Sequence, residues 1–116
     1  MIVGVGVDLV DLARFERAIT KTPELLTKIF SETEREGSVE TLAGRFAAKE
    51  ALVKAVGDPS GLLWHEVLVS KDSLGKPSLS TVGSTASFVA GRGINSLHLS
   101  ISHDAGSAIA FVVAEA

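Results

Sequence analysis

Residues 44–57, GRFAAKEALVKAVG, carry the densest chemistry in the chain: Arg45, Lys49 and Lys54 against the single carboxylate of Glu50. Arg45 and Lys49 stand four apart and share one face of a helix, and Glu50 and Lys54 share another. Two solvated rows would account for that spacing, with the Glu50–Lys54 pair worth about 0.2–0.5 kcal/mol. The alanines between them, Ala47, Ala48, Ala51 and Ala55, point elsewhere, because small residues in that number signal close packing rather than a free surface. Partly enclosed, three cations and one carboxylate suit a polyphosphate with a divalent cation: Lys and Arg for phosphate oxygens, Glu for Mg²⁺.

Asp8 is the second candidate. It follows the apolar run at residues 2–7, and a carboxylate at the end of a buried strand must be hydrogen-bonded, paired or metal-bound. Capping of the following loop or helix is the plain alternative. Gly4-Val5-Gly6 does not begin a dinucleotide fingerprint, because position 9 is Leu9 where a third glycine is required. At His103, a triad of Ser102 or Ser100 with His103 and Asp104 fails on geometry, since adjacent residues of a strand point to opposite faces and Ser102 and His103 cannot face each other. His65, His98 and His103 lack zinc-site spacing and have no cysteine to support them. Trp64 reads as a core or interface residue, and the acidic stretch with Glu32, Glu34, Glu36 and Glu40 reads as a solvated face.

The elements that must position these groups follow from patterning. Residues 2–7 predict a buried strand, and Asp11 caps a helix over 12–21 with Leu12, Phe15 and Ile19 on one stripe. Pro23 opens a short amphipathic piece over 24–30, and residues 31–36 form a Ser-capped polar turn. Residues 38–56 predict the longest helix, stopped by Gly57. Strands are expected over 65–71 and 78–81 about a Leu74-Gly75-Lys76-Pro77 turn, a small-residue helix over 82–91, and a closing hairpin over 96–102 and 107–115 turned by Asp104-Ala105-Gly106. Mixed helices and strands with an antiparallel pairing favour an α+β fold: one domain, residues 1–116, with a small, mostly antiparallel sheet and one long helix.

Composition narrows the function classes. A chain of 116 residues is one domain's worth, and it buries roughly two-thirds of its unfolded surface without staples. The absence of cysteine excludes disulfides, thiolate metal sites and a thiol nucleophile together. A formal net charge of −3 argues against a general nucleic-acid binder. Apolar runs are too short for a spanning helix, and the opening MIVGVGVDLVD has no basic n-region, so no membrane association and a cytoplasmic location are expected.

Taken in order, GVGVDLVDLARF at 4–15, KIFSETE at 28–34, LAGRFAAKEALVKAVG at 42–57, WHEVLV at 64–69, GKPSLS at 75–80 and LSISHDAGSAIAFVVAE at 99–115 resemble the holo-[acyl-carrier-protein] synthase family, the small stand-alone 4′-phosphopantetheinyl transferases. The resemblance implies Mg²⁺-dependent transfer of 4′-phosphopantetheine from coenzyme A to a serine of apo acyl carrier protein, with release of adenosine 3′,5′-bisphosphate, in fatty acid or related acyl-chain biosynthesis. It also implies the family's α+β fold and a homotrimer with active sites between adjacent subunits. Asp8 and Glu50 match the two Mg²⁺-binding carboxylates, and Lys54 matches the lysine near the pyrophosphate, so Asp8, Glu50 and Lys54 are the implied catalytic set. Arg45, Lys49 and His103 match positions lining the coenzyme A site. Arg14, Arg17 and Lys21, interleaved with Asp11 and Glu16, fall on the helix implied to meet the acidic carrier protein. Two other classes stay in view: a coenzyme A-binding module, which needs Arg45, Lys49 and His103 but not Asp8, and a purely structural subunit, whose stability would ignore coenzyme A.

Overall fold

The computed structural model describes residues 1–116. Strand β1 (Ile2–Asp11) leads directly into α1 (Leu12–Lys21), then α2 (Glu24–Ile29) and a 3₁₀ turn at Glu32–Glu34. The long α3 (Val39–Val56) follows, then 3₁₀ turns at Pro59–Gly61 and Trp64–Glu66. Strands β2 (Val67–Lys71) and β3 (Pro77–Thr81), helix α4 (Gly83–Gly91), and strands β4 (Ser96–Asp104) and β5 (Ser107–Glu115) complete the α+β chain. One antiparallel sheet has the order β1-β5-β4, and β2 and β3 form a separate hairpin. No helix is long and apolar enough to cross a membrane.

Local chemistry sets the boundaries. Asp11 caps α1 by accepting the Arg14 backbone N–H at 2.8 Å. Ser38 caps α3 through the Thr41 N–H, and Gly57, at φ 85°, ends it in the left-handed region. Two boundaries differ from expectation. The first strand does not stop short of Asp8; it continues to Asp11, because β5 supplies a pairing partner at every position from Gly4 onward, Asp8 opposite Ala110 and Asp11 opposite Ser107. Trp64–Glu66 is a 3₁₀ turn rather than the start of a strand, since Glu66 turns aside to accept from Thr85 N, Thr85 Oγ1 and Ser84 Oγ at the N-terminus of α4.

The core is an unusually thin helix-on-sheet interface. Ala43, Ala47, Ala48, Ala51 and Ala55 of α3 are buried, as are Ala108, Ala110, Val112 and Ala114 of β5. A Cβ at Gly6 would overlap the carbonyl oxygen of Ala51, and one at Gly4 that of Ala55. Strand backbone therefore lies directly on helix backbone, which only glycine permits at this separation. The sheet's opposite face is open: Val5, Val7 and Leu9 of β1 and Ile109 and Phe111 of β5 are all exposed, Leu9 at 67%.

Candidate active site

The alternation of β1 puts Gly4, Gly6, Asp8 and Val10 on the side facing α3. With Gly6 pressed against Ala51, Asp8 is one strand repeat further along, beside Glu50 and Lys54. Lys54 Nζ donates to Val7 O at 2.9 Å and to Asp8 Oδ1 at 3.1 Å. The Lys54 side chain is 54% exposed, so this ion pair adds at most about 1 kcal/mol to stability, and its value is positional. Two of the three ammonium protons are engaged and one is free for a further acceptor.

Glu50 is half-buried, and its pKa is raised above the ordinary carboxylate value, first by burial and then by the charge of Asp8, with Lys54 opposing. Two carboxylates thus converge on one wall with a single lysine between them. Both line a cavity of about 430 Å³ whose remaining surface is largely apolar, including Phe15, Ile19, Ile29 and Phe46, with Arg14 at its edge. The donor set fits Mg²⁺, which takes one or two carboxylates and fills its other positions with water or phosphate oxygens. No third histidine or carboxylate joins the pair, so the remaining ligands would come from solvent or a bound anion.

A second, cationic cavity of about 240 Å³ lies on another side of α3, lined by Arg45, His103, Lys71, Thr41 and Ser70. Arg45 Nη1 donates to Glu34 O at 2.7 Å and Glu36 O at 2.8 Å, fixing the guanidinium at the wall. His103 Nε2 lies 2.7 Å from Glu40 O; a carbonyl only accepts, so Nε2 carries a proton and the other ring nitrogen is left for a ligand. Lys71 was not singled out from sequence. Its only signal is its place at the end of β2, just ahead of the Gly75-Lys76-Pro77 turn, and the hairpin brings it to the cavity.

Lys49 departs from expectation. It is 1% exposed, and its Nζ donates to Ile29 O, Glu34 Oε1 and Trp64 O at 2.9, 2.7 and 2.9 Å. No proton remains for a phosphate, so Lys49 does not line the ligand site. Burial pulls its pKa down, against the hydrogen bond and charge of Glu34. Glu34, likewise, does not lie on a solvated face; it is 1% exposed and closes a capping box with Ser31. The S-x-x-E spacing of Ser31 and Glu34 was the available signal. Within one chain, therefore, Asp8, Glu50 and Lys54 come together, whereas Arg45 and His103 gather at a different cavity. Arg14, Arg17 and Lys21 are exposed along α1.

The α+β fold that brings two carboxylates and a lysine together at its strand-on-helix contact is that of a known class. A model of the 4′-phosphopantetheinyl transferase superfamily matches residues 4–112, and the chain belongs to that superfamily. It is 52% identical over 116 residues to the holo-[acyl-carrier-protein] synthase of Kocuria rhizophila, covering 100% of this chain and 94% of that one. The crystal structure of holo-[acyl-carrier-protein] synthase from Neisseria meningitidis superposes with a TM-score of 0.92 at 34% identity, covering 100% of both chains. That of Helicobacter pylori, in complex with coenzyme A, superposes with a TM-score of 0.85 at 32% identity, covering 96% of this chain and 99% of that one.

Proposed function

We propose that this chain transfers 4′-phosphopantetheine from coenzyme A to a serine of apo acyl carrier protein in a Mg²⁺-dependent reaction, releasing adenosine 3′,5′-bisphosphate and serving acyl-chain synthesis in the cytoplasm. The observation that carries the reading is the convergence of Asp8 and Glu50 on the wall of a largely apolar cavity, with Lys54 bonded to Asp8. A binding module would not need that convergence. The serine Oγ forms a bond to the phosphorus that bears the pantetheine arm, and the bond from that phosphorus to the bridging oxygen breaks. Asp8 and Glu50 would hold Mg²⁺, which when bound would supply positive charge against the pyrophosphate and the departing bisphosphate. Lys54, with one proton free, donates to the transferring phosphoryl group. The serine proton has two carboxylate acceptors on the same wall, Asp8 and Glu50.

Arg45 and His103 bind the coenzyme's phosphates. Because they gather at a different cavity from Asp8, the complete site is assembled between copies. The exposed apolar face of Val5, Val7, Leu9, Ile109 and Phe111 supports a homotrimer. Arg14, Arg17 and Lys21 on α1 supply the positive docking surface for an acidic carrier protein despite the chain's net charge of −3.

Intact mass spectrometry tests the reading. Apo acyl carrier protein incubated with this chain, coenzyme A and Mg²⁺ gains one phosphopantetheine, and a chelator abolishes the gain. No gain, with coenzyme A still bound, would replace the transferase by a binding module.

A further inference from the structure

The Glu34 side chain lines neither cavity, yet it is tied to both walls of the cationic one. Its Oε1 accepts from Ser31 N at 2.9 Å, Ser31 Oγ at 3.1 Å and Lys49 Nζ at 2.7 Å. Its Oε2 accepts from Val69 N at 2.8 Å. The backbone carbonyl of the same residue takes the Arg45 guanidinium. Arg45 and Lys49 are one turn apart on α3, and Val69 is two residues from Lys71 on β2.

The Val69 N–H belongs to the edge of β2 that β3 does not pair. Without Glu34 that donor is orphaned, since its acceptor is the Glu34 carboxylate and no backbone carbonyl of the Glu32–Glu34 turn takes its place. Stability alone is a poor account of such a pair. A buried ion pair is often matched or bettered by apolar residues of similar volume. Its distinctive property is geometric: a carboxylate bonded at both oxygens accepts replacement only by a group with two acceptors at the same separation.

We propose that Glu34 is a positioning residue for substrate binding: its buried carboxylate cross-braces α3 against β2, fixing Arg45 relative to Ser70 and Lys71 so that the cavity between them can hold a phosphate. This rests on the reading of that cavity as part of the coenzyme A site. Glu34 touches no substrate. It acts through Arg45 and through the strand that carries Lys71. Replacing Glu34 by glutamine keeps the volume but turns one oxygen into a donor, which then faces either Val69 N–H or Lys49.

The test compares wild type with Glu34→Gln, and with the apolar double replacement Glu34→Leu and Lys49→Met, which keeps the interior filled if the single variant misfolds. The readouts are KM for coenzyme A, KM for the carrier protein, kcat, and calorimetric affinity for adenosine 3′,5′-bisphosphate. The expected result is a rise of about tenfold in KM for coenzyme A and a matching loss of bisphosphate affinity, the scale of one charged hydrogen bond. KM for the carrier protein should stay unchanged and kcat should stay within about threefold. A purely structural residue would lower the melting temperature and the active fraction while leaving both ligand affinities of the folded fraction at wild-type values, and that result overturns the proposal. Wild-type chain that fails to bind coenzyme A would remove the underlying reading and this proposal with it, a failure visible before any variant is made.

Discussion

Lys49 and Lys54 sit on the same helix and have opposite fates. Lys54 stays at the surface with one proton free, whereas Lys49 is sealed inside with every proton committed. Helical spacing placed Arg45 and Lys49 on one face, and so they are: both bond to Glu34. Arg45 still reaches a cavity, whereas Lys49 meets only protein, and the tertiary path of residues 29–36 decides it. That Asp8, Glu50 and Lys54 belong together was legible only through the family resemblance, because their types alone left a capping Asp8 and a solvated Glu50–Lys54 pair open. Glu34 was not, because an acidic stretch looks solvated until the partner lysine is seen. Asp8→Ala and Glu50→Ala are each expected to reduce kcat/KM for transfer by at least about a hundredfold with an unchanged circular dichroism spectrum. Near-normal transfer in either would remove the metal assignment. Glu50 also yields a stability prediction. Its raised pKa means that the fold favours the uncharged form, so its contribution is complete below the ordinary carboxylate pKa and is lost as pH climbs through the raised value. Glu50→Gln should therefore raise the melting temperature of the metal-free chain at about pH 7.5 and leave it unchanged at about pH 4.

At the level of elements, α1 and α3 were legible to within a residue or so because their caps, Asp11, Ser38 and Gly57, are local signals. The full reach of β1 and the Trp64–Glu66 turn were not, since each depends on a distant partner, β5 for one and α4 for the other. The contact that matters most is β1 on α3. Its glycines, Gly4 and Gly6, meet the α3 carbonyls of Ala55 and Ala51 directly. Gly6→Ala forces strand and helix apart. It is expected to lower stability by about 1–3 kcal/mol in a denaturant melt. It should also depress transfer further than the lost folded fraction explains, because Asp8 is carried away from Glu50 and Lys54. A variant that melts lower but transfers normally per folded molecule would show that this contact does not set the site.

Across the whole molecule, the chain carries Asp8 and Glu50 at one cavity, Arg45 and His103 at another, and an open apolar sheet face, the pattern that the proposed assembly between copies would join. Nothing in the sequence separates the two pairs, because all of these residues match one site by resemblance alone. A mixing experiment examines the arrangement. Asp8→Ala and His103→Ala chains, each inactive, should recover activity when unfolded together and refolded, since about a quarter of the sites in random mixed trimers pair an intact Asp8 with an intact His103. No recovery would place the whole site within one chain.

The proposed completion of the site between neighbours has a consequence for abundance. Activity would then depend on how crowded the chain is as well as on how much of it there is: dilution past the point where copies part would silence the molecules that remain folded. A defective copy would subtract more than itself, because it would spoil the site of a sound neighbour. The open face of Val5, Val7, Leu9, Ile109 and Phe111 would in this way couple gene dosage to output more steeply than proportion.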